Sequence, residues 1–219
     1  MEEKTEGLLL QSISYLGTQK ILKVFAPDAG LISLMSKKAS SAALTNPFIL
    51  AEWVYKKGKE EIHLLKDATL LNDFSDLRQN YETLSAAGHI AQDLLRSQLP
   101  AKKGGDLYAL ALAYLKKLAA FSHPEILAAS FRLKLLLHEG LLSLQKECIQ
   151  CGAPATHLSQ GESFCRHHAI HSQLAFTSEE WEFLQIFTYA RQFSLLQTLS
   201  LSSALQKKIG DLFEERLKG

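Results

Sequence analysis

Residues 7–14, GLLLQSIS, begin a series of short apolar runs near the start of the chain. Four more runs follow before residue 72: QKILKVFA (19–26), GLISLMS (30–36), PFILAEWVY (47–55) and EIHLLKDATLL (61–71). Short runs of this kind, separated by turn residues, are typical of β-strands. The first third of the chain is therefore predicted to contain five strands.

Turn residues separate the five runs. The connections contain Gly17, PDAG (27–30), a Ser/Ala-rich stretch (37–46) and KKGK (56–59). Glycine, proline and aspartate favour tight turns, so all but the third connection are predicted to be short. Five strands with one long loop suit a small closed barrel such as the OB-fold. We predict an OB-fold nucleic-acid-binding domain over residues 1–76.

The pattern becomes helical after the fifth run. Apolar residues recur at helical spacing over residues 77–99, and Pro100 then ends the pattern. Further helices are predicted over 106–121, 124–146, 177–190 and from about 200 or 203 to 217. Thr177 and Glu180 form a capping box at the start of the fourth helix. The fold class is therefore α+β, with a five-stranded barrel followed by a helical domain over 77–219.

A cysteine-containing segment, residues 148–168, interrupts the helical pattern. Cys148-Ile-Gln-Cys151-Gly152 is followed by Cys165-Arg-His-His168, with 13 residues between Cys151 and Cys165. Zinc takes four sulfur or nitrogen ligands, and each x-x pair supplies two of them from one turn. The intervening residues are predicted to form a hairpin, and the four ligands would close the site, making the zinc structural. The predicted ligands are Cys148, Cys151, Cys165 and His168, with His167, His171 or His157 as alternatives to His168.

A zinc deaminase is the alternative interpretation of the same cysteines. His123-Pro124-Glu125 followed by Cys148-x-x-Cys151 resembles the H-x-E and P-C-x-x-C signature of zinc deaminases that act on nucleic-acid bases. However, Glu147 occupies the position of the proline. A continuous helix over 124–146 would also hold His123 roughly 35 Å from the cysteines, at ~1.5 Å per residue. We therefore interpret residues 123–125 as a helix start.

Composition indicates a soluble globular protein. Of 219 residues, 47% are hydrophobic and 21% are charged, which allows a real core. The longest apolar stretch, 107–115, is much shorter than the ~20 residues of a membrane helix, and the N-terminus MEEKTEG is acidic where a signal peptide is basic. Three cysteines do not suit a disulfide framework. We expect a cytoplasmic protein that does not associate with membranes.

Lysines are concentrated where OB-folds bind nucleic acid. The net charge is only +1, so a polyanion site must be a local patch. OB-folds place cations along the nucleic-acid backbone and stack bases on aromatic side chains. The predicted DNA-binding residues are Lys20, Lys23, Lys37, Lys38, Lys56, Lys57 and Lys59, with Tyr15, Phe25 and Tyr55 as stacking candidates. Lysines in turns are also common without a ligand, and strand aromatics are often core, so the concentration at these loops carries the interpretation.

The common catalytic motifs are absent from the sequence. It contains no G-x-x-x-x-G-K-[ST], no G-x-G-x-x-G and no G-x-S-x-G, and His138-Glu139 lacks the second histidine of a metalloprotease helix. We therefore expect no ATP hydrolysis and no catalytic residues.

The order of these parts resembles the RecO family of bacterial recombination mediators. The motifs that carry the resemblance are Glu6-Gly7-Leu8-Leu9-Leu10, Tyr15-Leu16-Gly17, Val24-Phe25, Gly30-Leu31-Ile32, Lys37-Lys38-Ala39 and Pro47-Phe48 with Leu50, followed by Cys148-x-x-Cys151-Gly152. Two features depart from the family pattern. Cys165-x-x-His168 replaces a second Cys-x-x-Cys pair, and residues 39–43 are less basic than in relatives.

The resemblance implies a mediator of RecF-pathway repair. Such a protein binds single- and double-stranded DNA, anneals complementary strands, and works with RecR to load recombinase onto DNA coated by single-stranded-DNA-binding protein. A module that binds a peptide and no DNA is the remaining alternative.

The resemblance also implies that the helical domain binds the acidic C-terminal tail of single-stranded-DNA-binding protein. The carboxylates of that tail need cations, and residues 77–147 carry nine basic and six acidic side chains. The candidates are Arg132 first, then Lys134, Lys116 and Lys117.

Overall fold

Five strands close into a barrel at the start of the chain. The computed structural model describes residues 2–37, 42–58, 61–169 and 174–218. The strands are β1 (Glu2–Ser14), β2 (Lys20–Ala26), β3 (Gly30–Ser36), β4 (Ile49–Lys56) and β5 (Ile62–Asn72). They are ordered β1-β2-β3-β5-β4, and β4 pairs back with β1. Among the strand pairings in the described part of the barrel, β3–β5 is parallel and the others are antiparallel. This closed topology confirms the predicted five-stranded OB barrel.

Apolar side chains from all five strands fill the barrel. Leu22, Val24 and Leu34 are fully buried there. Trp53 is also fully buried, and its indole N–H donates to the carbonyl of Gly7 at 2.9 Å. A side chain at Gly7 would collide with Val24. The glycine therefore allows β1 to approach its neighbours closely, because a Cβ atom has no space there.

Two helices pack on the outside of the barrel. They are α1 (Tyr81–Ser97), capped by the Asn80 side chain, and α2 (Gly105–Leu118). Tyr108 of α2 makes an edge-to-face contact with Phe25, and its hydroxyl donates to the carboxylate of Glu6. Because of this packing the chain divides into the units Met1–Ala119 and Ala120–Gly219. The change from strands to helices nevertheless falls near residue 76, where the sequence predicts a domain boundary.

The described residues of the second unit include four helices. They are α3 (Pro124–His138), α4 (Ser178–Tyr189), the short α5 (Ser194–Gln197) and α6 (Ser203–Lys218). Both α4 and α6 pack against α3. The predicted capping box is confirmed, since Thr177 and Glu180 exchange side-chain-to-backbone hydrogen bonds. No helix in the described part of the chain is both long and apolar enough to cross a membrane.

The third helix ends earlier than its sequence predicts. We expected it to reach residue 146, but α3 stops at His138. Gly140 adopts a φ of +70°, and the Leu141 N–H donates to the carbonyl of Leu136 at 2.8 Å. This is a glycine-terminated helix end, and the leucines beyond it belong to another element. Residues 141–147 instead run beside the cysteine segment.

The cysteine segment contains a small antiparallel sheet. Its strands are β6 (His157–Ser159), β7 (Glu162–Phe164) and β8 (Leu174–Ala175), in the order β7-β6-β8. The predicted hairpin is β6–β7, and its turn contains Gln160 and Gly161, both at positive φ. Positive φ at both turn positions matches the twist of a two-residue hairpin.

Candidate metal centre and nucleic-acid interface

Four side chains of the cysteine segment converge on one point. Cys148 and Cys151 lie in the turn before the hairpin, and Cys165 and His168 lie in the turn after β7. The sulfur atoms and the imidazole nitrogen all lie within 4.8 Å of one another. The structure therefore brings together the four residues that the sequence spacing selects, and this group can hold a metal ion.

The distances in this group fit a tetrahedral metal site. The Nδ1 atom of His168 lies 3.5 Å from the sulfur of Cys148 and 3.5 Å from that of Cys165. The sulfurs of Cys151 and Cys165 are 3.7 Å apart. Zinc, with bonds of about 2.3 Å to sulfur and about 2.0 Å to nitrogen, gives tetrahedral edges of roughly 3.5 Å between S and N and roughly 3.8 Å between two S atoms. The donor atoms thus have the spacing that such an ion requires.

Backbone hydrogen bonds shape the first turn of the centre. The N–H of Gly152 donates to the carbonyl of Cys148, and Gly152 has a φ of +71°. Desolvation disfavours the Cys148 thiolate, but backbone N–H groups of Cys165 and its own turn outweigh it and lower the pKa of Cys148 to about 6. The pKa of Cys151 is raised, because desolvation and the neighbouring sulfurs outweigh the N–H of Ala153. The backbone of the turn alone therefore favours the thiolate of Cys148 over that of Cys151.

The segment is anchored to the helices of its own unit through backbone carbonyls. The guanidinium of Arg216 donates to the carbonyl of Leu141, and the indole N–H of Trp181 donates to that of Gln145. The Tyr189 hydroxyl donates to the carbonyl of Leu144 at 2.7 Å. Residues 141–145 thus connect the cysteine segment to α4 and α6.

The other histidines take different positions. His167 is exposed, and His157 contacts the Thr156 hydroxyl at 2.8 Å. His171 lies outside the described residues. His123 pairs with Glu125 at 3.3 Å, and within the described ranges it is not a member of the metal-binding group. The structure therefore gives no support to the deaminase interpretation. The distance of roughly 35 Å between His123 and the cysteines assumed a helix over 124–146, however, and α3 ends at His138.

The barrel lysines have unequal surroundings. Lys20 donates to the hydroxyl of Thr45 at 2.9 Å, and Lys23 donates to that of Ser33 at 2.8 Å. Lys57 forms an ion pair with Glu3 at 2.8 Å. Lys37 and Lys56 are exposed, whereas Lys38 and Lys59 lie outside the described residues. Lys20 and Lys23 keep their full positive charge, because a hydroxyl partner is neutral. The charge of Lys57 is offset by the carboxylate of Glu3.

The stacking candidates separate into three environments. Tyr15 is 50% exposed in the turn between β1 and β2. Phe25 is buried against Tyr108, and Tyr55 is buried at the end of β4. Only Tyr15 therefore presents its ring to solvent.

A row of apolar side chains crosses the outer face of the barrel. Ile21 and Met35 are neighbours of the inward-facing Leu22 and Leu34, so they point outward. The strand register aligns the row as Ile13, Ile21, Met35, Leu64 and, at its end, Lys56.

The row is accessible to a ligand. Ile13 is 39% exposed, and Leu16 in the adjoining turn is 69% exposed. Lys23 lies in the neighbouring outward row, opposite Gln11 and Ser33. The sequence does not predict the full extent of this surface, because the extension of the row to Leu64 depends on the β3–β5 pairing. The alternation of inward and outward side chains along a strand shows only which residues of that strand share a face.

The predicted partner-binding cations are also in distinct states. The guanidinium of Arg132 lies over the Phe213 ring, 4.9 Å from its centre. The ammonium of Lys134 donates to the carbonyls of Thr188 and Ala190, and burial lowers its pKa. It therefore stabilises the end of α4. Lys116 and Lys117, in the other unit, are exposed on α2.

These features define a class of protein: an OB-fold barrel joined to a helical unit that carries a Cys3His metal-binding knuckle. The family model described as "Recombination protein O N terminal" matches residues 1–74, and "Recombination protein O C terminal" matches residues 78–218. The chain therefore belongs to the RecO family of DNA repair proteins.

Relatives match over most of their length. The protein named DNA repair protein RecO from Chlamydia pneumoniae is 30% identical over 95% of this chain and 86% of its own. That of Chlamydia trachomatis serovar D is 28% identical over 90% of this chain and 85% of its own. The one from Exiguobacterium sibiricum is 26% identical over 100% and 93% of the two chains. Both units are thus covered by the similarity.

Proposed function

We propose that this protein is a DNA-binding recombination mediator of RecF-pathway repair. It binds single- and double-stranded DNA through the barrel, anneals complementary strands, and assists recombinase loading together with RecR. It acts in the cytoplasm without hydrolysing ATP. Membership of the RecO family supports this proposal, because its members are named DNA repair proteins.

The apolar row on the barrel is the observation that carries the DNA-binding part. Bases of a single strand have apolar faces and stack on such side chains, while phosphates need nearby cations. The row offers Ile13, Ile21 and Met35, with Lys23 beside it and Lys56 at its end. A strand lying along this face would place its bases on the apolar side chains and its phosphates near the lysines.

The knuckle has a structural role in this proposal. We assign zinc to the centre formed by Cys148, Cys151, Cys165 and His168, because three thiolates and one imidazole suit this metal. When bound, the ion would supply no reaction, since the four protein ligands complete a tetrahedron. The four ligand residues keep the segment 141–168 in one conformation against the helices of the second unit.

The helical domain over residues 77–219 is proposed to bind the acidic C-terminal tail of single-stranded-DNA-binding protein. Arg132 is the first candidate for its carboxylates, because a guanidinium pairs with a carboxylate through two hydrogen bonds. Lys134 is a weaker candidate, since it already donates to two carbonyls. Lys116 and Lys117 remain exposed alternatives on α2.

A fluorescence-anisotropy titration with labelled single-stranded DNA at several salt concentrations tests the DNA-binding proposal. Each neutralised phosphate adds roughly −0.7 to the slope of log K against log salt, so three to five lysines give a slope of about −2 to −3.5. Replacing Lys23, Lys37 and Lys56 by glutamine should make the slope shallower by about 2. Lys66→Gln, an exposed lysine of β5 outside the predicted set, is the matched control.

Two outcomes would contradict this proposal. If the triple variant bound as tightly as the wild type, the barrel face would not be the DNA site. If the wild type bound no DNA at any salt concentration, the barrel would instead be a protein-interaction module.

A further inference from the structure

A cavity of about 460 Å³ opens at the end of the barrel where β4 stops and β5 begins. Its size falls within the ~300–1,000 Å³ range of small-molecule sites, which often occupy the mouths of β-barrels. It is separate from the apolar row, because Tyr55 points into the barrel whereas the row lies outside it. The lining contains aromatic, polar and apolar side chains.

The aromatic wall is a stack of two rings. Tyr55 and His63 lie parallel, with an interplanar angle of 7° and ring centres 5.3 Å apart. The Tyr55 hydroxyl donates to the Glu3 carboxylate at 3.0 Å, and the other oxygen of Glu3 accepts from Lys57 at 2.8 Å. These contacts fix the orientation of the tyrosine ring beneath the imidazole.

The imidazole presents a neutral ring that carries its proton on Nε2. The backbone N–H of Gly58 donates to its Nδ1 atom at 3.4 Å, which places the ring proton on Nε2. Burial and the nearby Lys57 lower the pKa of His63. Burial and Glu3 together raise the pKa of Tyr55 to about 12. At neutral pH both rings therefore carry no charge.

The rest of the lining combines apolar and charged side chains, and its two lysines, Lys4 and Lys57, are paired with Glu52 and Glu3. Ile32, Ala29 and Pro100 supply the apolar surface, whereas Asp28 and Glu61 are exposed. A phosphate would be repelled by these carboxylates. A flat, uncharged ring with polar edges instead suits this lining, since its faces can pack on the imidazole and on apolar side chains while its edge can bond to Thr5 or Glu3.

We propose that this cavity binds one unpaired nucleobase, stacked on His63 with its edge toward Glu3 and its phosphate outside. Every base has a π-face, so stacking tolerates any sequence. The inference rests on the proposed binding of single-stranded DNA, which would deliver such a base. The inference goes beyond the proposed DNA binding because it adds a second contact with the strand, in the cavity, and this contact neutralises no phosphate.

The test uses oligonucleotides with 2-aminopurine placed in turn at each position of a 12-mer. Fluorescence of this base changes when it stacks. With the full-length wild-type protein, the fluorescence should change at one or more positions. His63→Ala should abolish the change and weaken binding roughly 5-fold or more. The slope of log K against log salt should stay as in the wild type, because no cation is removed.

Two further variants separate stacking from loss of structure. His63→Phe keeps a flat ring and should retain the signal. Tyr81→Ala removes an aromatic ring that is 83% exposed on α1, away from the cavity, and should change nothing. If His63→Ala gave the same signal and affinity as the wild type, the proposal would be wrong.

Free 2-aminopurine deoxyriboside provides a second arm, measured by saturation-transfer NMR. Binding to the wild type but not to His63→Ala supports the cavity even if no oligonucleotide binds, in which case only the DNA-binding proposal fails. Oligonucleotide binding without a 2-aminopurine change at any position, together with no transfer to the deoxyriboside, would overturn the cavity proposal and leave DNA binding intact.

Discussion

Substitution of Gly161 by alanine should destabilise the second unit far more than the same change at Gly140. Both glycines adopt positive φ, +77° and +70° respectively. An alanine in this region costs about 1–2 kcal/mol at either position. Only at Gly161 would the added Cβ atom collide with a backbone atom, the carbonyl oxygen of Leu141. Gly140 has open space around it.

The collision would separate the hairpin from residues 141–143. Two hydrogen bonds would be lost: the Ser143 N–H to the Gly161 carbonyl at 2.8 Å, and the Arg216 guanidinium to the Leu141 carbonyl at 3.0 Å. A backbone bond contributes about 0.5–1.5 kcal/mol and one from a charged group about 1.5–3 kcal/mol. The total for Gly161→Ala is therefore about 3–6 kcal/mol, against about 1–2 kcal/mol for Gly140→Ala.

Thermal denaturation followed by circular dichroism measures the difference. Each 1 kcal/mol shifts the midpoint by about 2–4 °C in a protein of this size, so Gly161→Ala should melt at least about 6 °C below the wild type. Gly140→Ala should melt about 2–8 °C below it. Equal midpoints for the two variants would refute the steric argument, because both share the same backbone penalty.

Three other predictions concern the metal centre, the ion pair of Glu180 with Lys208, and Arg132. Metal analysis of the purified protein should find about one zinc per chain, reduced in Cys151→Ser together with the melting temperature and unchanged in His123→Ala; zinc lost on the His123 change would favour the deaminase interpretation. Desolvation opposes the Glu180 carboxylate, but Lys208 at 2.7 Å and the Thr177 N–H outweigh it and lower the pKa of Glu180. Its stabilisation is thus present above its unfolded pKa and lost as pH falls through the lower folded value, so the wild type should lose more stability on acidification than Glu180→Gln; parallel curves of melting temperature against pH would contradict this. Calorimetric titration with an acidic, apolar-ended tail peptide should give weaker binding to Arg132→Ala than to the wild type or to Arg191→Ala; unchanged binding would remove Arg132 from the site, and no binding to the wild type would remove the partner.

Local sequence signals determined much of this protein. The C-x-x-C and C-x-x-H spacings select the four side chains of the metal-binding group, and the structure brings them within 4.8 Å. The capping box of Thr177 and Glu180 and the hairpin at Gly161 were equally readable. Each of these features depends on residues within about 20 positions of one another, so the chain needs no distant contact to specify it.

Other features were decided by tertiary structure. The leucine-rich stretch after Gly140 looked helical, but its carbonyls are hydrogen-bonded by Arg216 and Tyr189, which lie far along the chain. The apolar row reaches Leu64 because β3 pairs with β5, and nothing in either strand specifies that register. Tyr55 and His63 lie close in sequence, but their stack depends on the β4–β5 register, which shifts between Val54 and Tyr55. Periodicity shows which residues share a face, whereas the partner of that face is set by burial and pairing across the whole chain.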